Sequence, residues 1–231
     1  MTSVGMIRCH DAAVPSQSDL EIVPLTRDRF TDLDDLFATG DPRWCWCMYF
    51  RARGRSWANS SAASNRADLE GLTNNADESK GVAPGLVAYA DGAAIGWVSL
   101  GPREDYERLA FSKMLRPVDD RPVWSIVCFV VAGRQRGKGV ATALLDAAIE
   151  YARERGVSTL EAYPIHESRG RVSSDAAYTG TQGMFERAGF TVVELRQWNA
   201  TSPPRPIMRL EFGPTHGRGG GFEHGTPTQF P

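Results

Sequence analysis

Residues 123–156, VWSIVCFVVAGRQRGKGVATALLDAAIEYARERG, constrain this chain most. Residues 123–131 are rich in Val, Ile, Phe and Trp and hold no breaker, the composition of a strand buried on both faces. Ala132-Gly133 turns the chain, and Arg134-Gln135-Arg136-Gly137-Lys138-Gly139 leads into a helix. Periodicity identifies that helix. Ala141, Leu144, Leu145, Ala148, Ile149 and Ala152 share one stripe, while Asp146, Glu150, Arg153 and Glu154 lie opposite. Gly156 ends it, as the residue suited to the left-handed conformation past a helix C-terminus.

A Gly-rich turn that opens a helix has a common chemical use. The first-turn N–H groups have no partner within the helix, and the helix dipole favours an anion beside them. Gly137 and Gly139 carry no Cβ to keep a phosphate from the backbone, and Arg134, Arg136 and Lys138 add positive charge at the same point. The stretch therefore reads as a phosphate or diphosphate cradle; the competing reading is a turn whose glycines serve tight packing. It is not a P-loop, because Gly133 to Gly137 is one residue short and no hydroxyl follows Lys138 to meet a magnesium ion. The dinucleotide pattern G-x-G-x-x-G fails too, since Thr142 stands at its third glycine.

One family pattern does fit. Arg136-Gly137-Lys138-Gly139-Val140-Ala141, after an apolar strand and before Ala143-Leu144-Leu145, resembles the R/Q-x-x-G-x-G/A motif of the GNAT superfamily, the acyl-CoA-dependent N-acyltransferases. Met184-Phe185-Glu186-Arg187-Ala188-Gly189-Phe190, followed by an apolar stretch, resembles that family's closing LYEKLGF-like motif. The resemblance covers residues 83–212 and extends to residues 20–40.

The resemblance implies an α/β (α+β) fold, a mixed central sheet of six to seven strands flanked by helices and splayed at its central strand. It implies acetyl-CoA as co-substrate, no metal, and direct transfer to an amine of a small molecule or peptide. The cofactor-binding positions it assigns are Phe129, Val130 and Val131 along the splayed strand, then Arg136, Gly137, Lys138, Gly139, Val140, Ala141 and Thr142, with Phe185 on the closing helix. Phe129 and Val131 would offer free backbone N–H groups to the thioester and the pantetheine arm. Two family positions depart from pattern. Phe185 stands where many members carry a tyrosine acid, and Ser125 where some carry a carboxylate base. Tyr178, placed two turns earlier if residues 176–187 form one helix, is the substitute acid; its competing reading is an ordinary half-buried tyrosine. Glu161, His166 and Glu167 are the nearest candidate bases, alongside a base acting through water. Cys128 is expected on the strand face opposite Phe129, buried and inert.

The most unusual composition is Trp44-Cys45-Trp46-Cys47-Met48-Tyr49-Phe50. Cys-x-Cys with a distant Cys9-His10 is a poor metal set, so the run reads as core or as one wall of an apolar acceptor pocket, with Trp44, Trp46 and Tyr49 facing the ligand. Elsewhere the pattern predicts a strand over residues 20–25 and a helix over 28–37 capped by Thr26. A polar excursion follows over 51–81, with a weak helix at 62–72. A hairpin comes next, with residues 85–90 and 94–100 joined at Asp91-Gly92. Residues 102–120 form an insertion with a short amphipathic helix through Tyr106, Leu109, Met114 and Leu115. Residues 158–163, 191–195 and 207–212 read as the remaining strands.

One domain over residues 20–212 is expected, between a loose arm at 1–19 and a Gly- and Pro-rich tail at 213–231 without packing residues. Of 231 residues, 42% are hydrophobic and the net charge is −2, which argues against bulk nucleic-acid or membrane binding. No stretch has membrane-spanning length or signal-peptide character, and four cysteines in a chain this long do not make a disulfide framework, so a reducing cytoplasm is expected. A homodimer is left open. So are two other functions: a non-catalytic acyl-CoA-binding regulatory module, and a phosphate-ligand enzyme such as a nucleotide hydrolase.

Overall fold

A computed structural model describes residues 20–38, 42–75, 81–166 and 178–213. The expectations for the N-terminal arm, for the tail beyond residue 213, for Cys9 and for Glu167 fall outside those residues. Among the described residues seven strands form one mixed sheet: β1 (Glu21–Pro24), β2 (Gly85–Ala90), β3 (Ala93–Pro102), β4 (Trp124–Val131), β5 (Thr159–Ala162), β6 (Thr191–Arg196) and β7 (Arg205–Glu211). Their order is β1-β2-β3-β4-β5-β7-β6, antiparallel except for the β4–β5 pair. The expected mixed, helix-flanked sheet is thus observed. The β2–β3 hairpin turns at Asp91-Gly92, both in the left-handed region that this tight connection requires.

Among the described residues seven helices accompany the sheet: α1 (Leu33–Phe37), α2 (Pro42–Cys45), α3 (Gly54–Ala58), α4 (Ala62–Leu72), α5 (Glu107–Phe111), α6 (Val140–Glu154) and α7 (Gln182–Arg187). The α6 helix packs on one face of the sheet, burying Leu144, Leu145, Ala148 and Ala152 against Leu86, Ala88, Val98 and Leu160. Gly156, at φ 70°, ends it as the sequence requires, with the Val157 N–H reaching back to the Ala152 carbonyl. Residues 25–38 and 42–72 cover the other face, where Leu25, Phe30, Leu33, Phe37 and Trp46 close over Val87, Trp97 and Val127.

Two helices differ from the sequence reading. Residues 27–32 form a 3₁₀ turn before α1, and the Thr26 side chain does not cap it; the hydroxyl bonds the Asp28 carboxylate instead. The helix expected over 176–187 runs only from Gln182, capped by Thr181, whose hydroxyl accepts from the Met184 N–H. Gly180, at φ 78°, breaks it, and a Cβ there would lie 2.7 Å from the Phe185 ring. Tyr178 and Phe185 therefore do not share a helix face, and the two-turn argument for Tyr178 fails.

Two irregularities in β4 position the site. Leu100 pairs with Ile126 and Ser99 with Cys128, which leaves Val127 as an extra, bulged residue. The bulge puts Val127 and Cys128 on the same face of the sheet, while Ile126 and Phe129 lie on the other. Beyond it, β4 and β5 diverge, since only Trp124, Ser125 and Ile126 pair with β5. Residues 178–181 fill part of the gap: the Tyr178 carbonyl accepts from the Phe129 N–H at 2.6 Å, and the Gly180 carbonyl accepts from the Ile165 N–H at 3.1 Å.

Candidate active site

A cavity of about 740 Å³ opens at the divergence. One end is built from the strand exit and the following loop: Phe129 to Gly133, Gln135, Arg136, Gly137, Gly139, and the first turn of α6 through Val140, Ala141 and Thr142. The other end is formed by Leu36, Pro42, Cys45, Cys47, Tyr49, Phe50, Cys128 and Tyr178. The volume is within the range of small-molecule and cofactor sites.

The first end has the features of an anion cradle. Gly139 caps α6 with no side-chain hydrogen bond, and the first helical bond closes from the Ala143 N–H to the Gly139 carbonyl. The N–H groups of Val140, Ala141 and Thr142 therefore have no acceptor inside the helix, at the positive end of its dipole. Gly137 and Gly139 take φ values of 76° and 86°, and a Cβ built on either meets nothing within 4 Å. Their role is thus to turn the backbone and leave it open, and the tight-packing alternative is not supported. Arg136 lines the same end, its Nε donating to the Val131 carbonyl at 3.3 Å. Lys138 and Arg134 belong to the loop but do not line the cavity.

The strand exit corrects one backbone expectation. Because the Ala132 N–H bonds Ile95 on β3, alternation turns the N–H groups of Phe129 and Val131 away from β3 and into the gap. Phe129 is not free, since Tyr178 accepts its proton. Val131 retains the open orientation.

The other candidates separate cleanly. Tyr178 lines the cavity with 41% of its surface exposed and its ring 6.4 Å from Phe50. Burial pushes its phenol above the usual value, opposed by the nearby Arg205 cation. Arg205 is itself lowered by burial, and its Nη2 donates to Thr179 Oγ1 at 3.2 Å. Tyr49 lines the cavity as expected, beside Arg108, whose guanidinium carbon is 4.1 Å from the ring centroid. Trp44 is exposed but packs edge-on against Trp57 outside the lining. Trp46, expected to face a ligand, is buried at 6% exposure against Phe30 and Phe37 and is core. Phe185 is also core, fully buried against Phe129 and Phe190, and does not line the cavity.

Glu161 is placed away from the lining. It is fully buried, accepting from Arg209 Nε at 2.8 Å and from the Tyr163 hydroxyl at 2.6 Å, with Arg103 Nη1 at 3.7 Å. Ser125 and Arg209 are its register neighbours on the adjoining strands. Arg209 in turn grips both Asp119 oxygens at 2.8 Å. This is an ion network buried at Glu161 on β5 and Arg209 on β7 and reaching the half-exposed Asp119. His166 lies outside the lining too, its Nδ1 2.6 Å from Gln182 Oε1.

Within the run read as core or pocket wall, the sequence singled out Trp44, Trp46 and Tyr49 but not Cys45, Cys47 or Phe50, and it did not point to Gln135 or Cys128 as lining residues. Gln135 and Phe50 stood inside stretches already singled out. Cys128 was placed on the correct face but read only as core. Among the described residues no group of three or more His, Cys, Asp or Glu side chains is arranged to hold a metal ion, and no helix is long and apolar enough to cross a membrane.

No curated protein sequence matches the chain. Similar solved structures include a polyamine N-acetyltransferase of Drosophila melanogaster that catalyses formation of N-acetylagmatine, at 11% identity and TM-score 0.54, covering 84% of this chain and 100% of that one. A Corynebacterium glutamicum protein described as histone acetyltransferase HPA2 and related acetyltransferase is 18% identical, with TM-score 0.51 and coverage of 85% and 99%. The Salmonella typhimurium yncA structure with its cofactor acetyl-CoA is 15% identical, with TM-score 0.50 and coverage of 86% and 96%. At these identities the likeness is one of fold. The sequence profile of the acetyltransferase (GNAT) family matches residues 44–190, a span that contains both the α6 cradle and the closing Gly-Phe motif, and the chain therefore belongs to the GNAT family of acetyltransferases.

Proposed function

We propose that the protein transfers the acetyl group of acetyl-CoA to a primary amine by direct attack within a ternary complex. The observation that carries this reading is one cavity that joins the open α6 N-terminus to a wall of Tyr49, Phe50 and Tyr178. A diphosphate fits the donors at Val140, Ala141 and Thr142, with Arg136 supplying charge. The Val131 N–H faces the gap where the thioester carbonyl would lie, and donates as that oxygen gains charge. The amine nitrogen forms the new bond to the acetyl carbon, the carbon–sulfur bond breaks, and the thiolate leaves. Tyr178, kept protonated by its raised phenol, gives its proton to that thiolate and regains one from the ammonium nitrogen of the product side.

Direct attack needs the acceptor as the neutral amine, because an ammonium nitrogen has no lone pair to give. Tyr49 and Phe50 favour an amine carried on an apolar or planar body. The Drosophila relative forms N-acetylagmatine, which makes small amines the first acceptor class to test. The test is a thiol-release assay with acetyl-CoA over arylalkylamines, polyamines and peptide amines. Saturable CoA release with an arylalkylamine is expected. Binding of acetyl-CoA without turnover across the panel would favour the non-catalytic module instead.

A further inference from the structure

The acceptor end of the cavity contains chemistry that acetyl transfer does not use. Cys47 and Cys128 are 81 residues apart in sequence, yet their sulfurs lie 3.2 Å apart, the Cys47 S–H donating to Cys128 Sγ. Two separate features of the backbone bring them together. The bulge at Val127 turns Cys128 onto the face covered by residues 25–38 and 42–72. On the opposing segment, Trp46 and Cys47 both adopt left-handed conformations, at φ 44° and 54°, which side chains of their kind rarely accept. Strain of that sort persists only where surrounding packing holds it. Both cysteines are free and buried from bulk solvent, at 3% and 7% exposure, but both line the cavity, which provides access for a small reagent. Cys45 lines it as well.

We propose that Cys47 and Cys128 form a hydroperoxide-sensitive dithiol that closes to a disulfide and shuts the acceptor end of the cavity. Cys128 accepts the Cys47 S–H and lines the cavity, so its sulfur is assigned as the attacking atom. It takes one oxygen from hydrogen peroxide, giving a sulfenic acid and one water. The Cys47 sulfur then displaces hydroxide from that sulfenic sulfur, its proton leaving with the hydroxide as a second water. Two electrons pass from the two thiols to the O–O bond. The sulfurs must move from 3.2 Å to about 2.05 Å, a shift that draws the segment carrying Cys47, Tyr49 and Phe50 onto β4. A thiol reductant reverses the closure. The thiol chemistry stands by itself; the loss of acceptor access rests on the function proposed above.

The test is peptide mapping of the full chain after mild hydrogen peroxide, with turnover measured in parallel. Trypsin releases Cys45 and Cys47 on residues 44–51 and Cys128 on residues 114–134. The expected result is a joined pair of these peptides, lighter by about 2 Da than their sum, that persists in Cys45→Ser and is lost in Cys47→Ser. Turnover should fall at least tenfold and return with dithiothreitol. Cys47→Ser and Cys128→Ser should each keep their own untreated rate after the same exposure. Free thiols at both positions, a bond between Cys45 and Cys47 alone, or sulfinic acid without a disulfide would each overturn the dithiol. A Cys47–Cys128 disulfide that leaves turnover unchanged would overturn the closure. Turnover of the untreated protein reports separately on the acetyltransferase reading, because the cross-link is scored by mass.

Discussion

Replacing Glu161 with glutamine separates a base from a structural ion. The side chain is fully buried, and its oxygens take Arg209 Nε at 2.8 Å and the Tyr163 hydroxyl at 2.6 Å. Glutamine keeps the shape and an acceptor oxygen but removes the charge. Breaking one side of a buried pair costs about 3–5 kcal/mol, because the other ion is left uncompensated. Arg209 is not left alone here, since it still holds Asp119 through two bonds of 2.8 Å. The cost should therefore fall at the low end, about 3 kcal/mol. For a domain of this size that lowers Tm by roughly 6–12 °C. Thermal unfolding by circular dichroism measures it, and kcat is read well below the transition. The expected outcome is a large fall in Tm with kcat within about threefold of the parent, since Glu161 does not line the cavity. An unchanged Tm with kcat reduced about hundredfold or more would refute the network and make Glu161 the base.

Three further outcomes follow from the same geometry. Tyr178→Phe should lower kcat about hundredfold with little change in acetyl-CoA affinity. Burial raises the phenol, so the parent's alkaline rate limb should lie above about pH 10 and vanish in the variant. Arg209 beside Asp119 holds its carboxyl below the usual carboxylate range, so that stabilisation is complete above about pH 4 and is lost as pH falls toward the depressed folded value. Acid unfolding monitored by tryptophan fluorescence should become less steep in Asp119→Asn. Phe185→Ala should cost about 3–5 kcal/mol in urea unfolding, as expected of a fully buried ring packed on Phe129 and Phe190.

What the sequence revealed, and what it hid, follows from the range of the interactions involved. The β4–α6 unit was legible because an apolar run, a Gly-rich turn and a helical stripe are all local signals. The hairpin was legible for the same reason, through Asp91-Gly92. The family motifs then supplied the sheet and the cradle. The failures concern contacts between distant residues. The β4 bulge is set by pairing with β3, and no periodicity shows it. Residues 176–187 read as one helix, but Gly180 turns left-handed there because Phe185 closes over it and Ile165 pairs with Thr181. That inserted segment also uses the Phe129 N–H that the resemblance had left free. Glu161 looked available as a base because its partners Arg209 and Arg103 arrive from elsewhere in the chain. Trp46 looked like a ligand contact because aromatic composition does not distinguish a pocket wall from the core behind it.

The claim beneath the whole account is that the first turn of α6 receives the diphosphate of coenzyme A. Calorimetric titration of CoA into Gly139→Asp tests it most directly. Aspartate tolerates the left-handed backbone better than most side chains, its Cβ would meet nothing within 4 Å, and its charge suits a helix N-terminus, so the fold should hold. A carboxylate about 4 Å from a phosphate charge costs roughly 1–4 kcal/mol between bulk water and a protein surface. CoA affinity should therefore fall at least about fivefold, while the left-handed backbone at position 139 lowers Tm by no more than about 2–4 °C. Equal affinity in the parent and the variant would contradict the account.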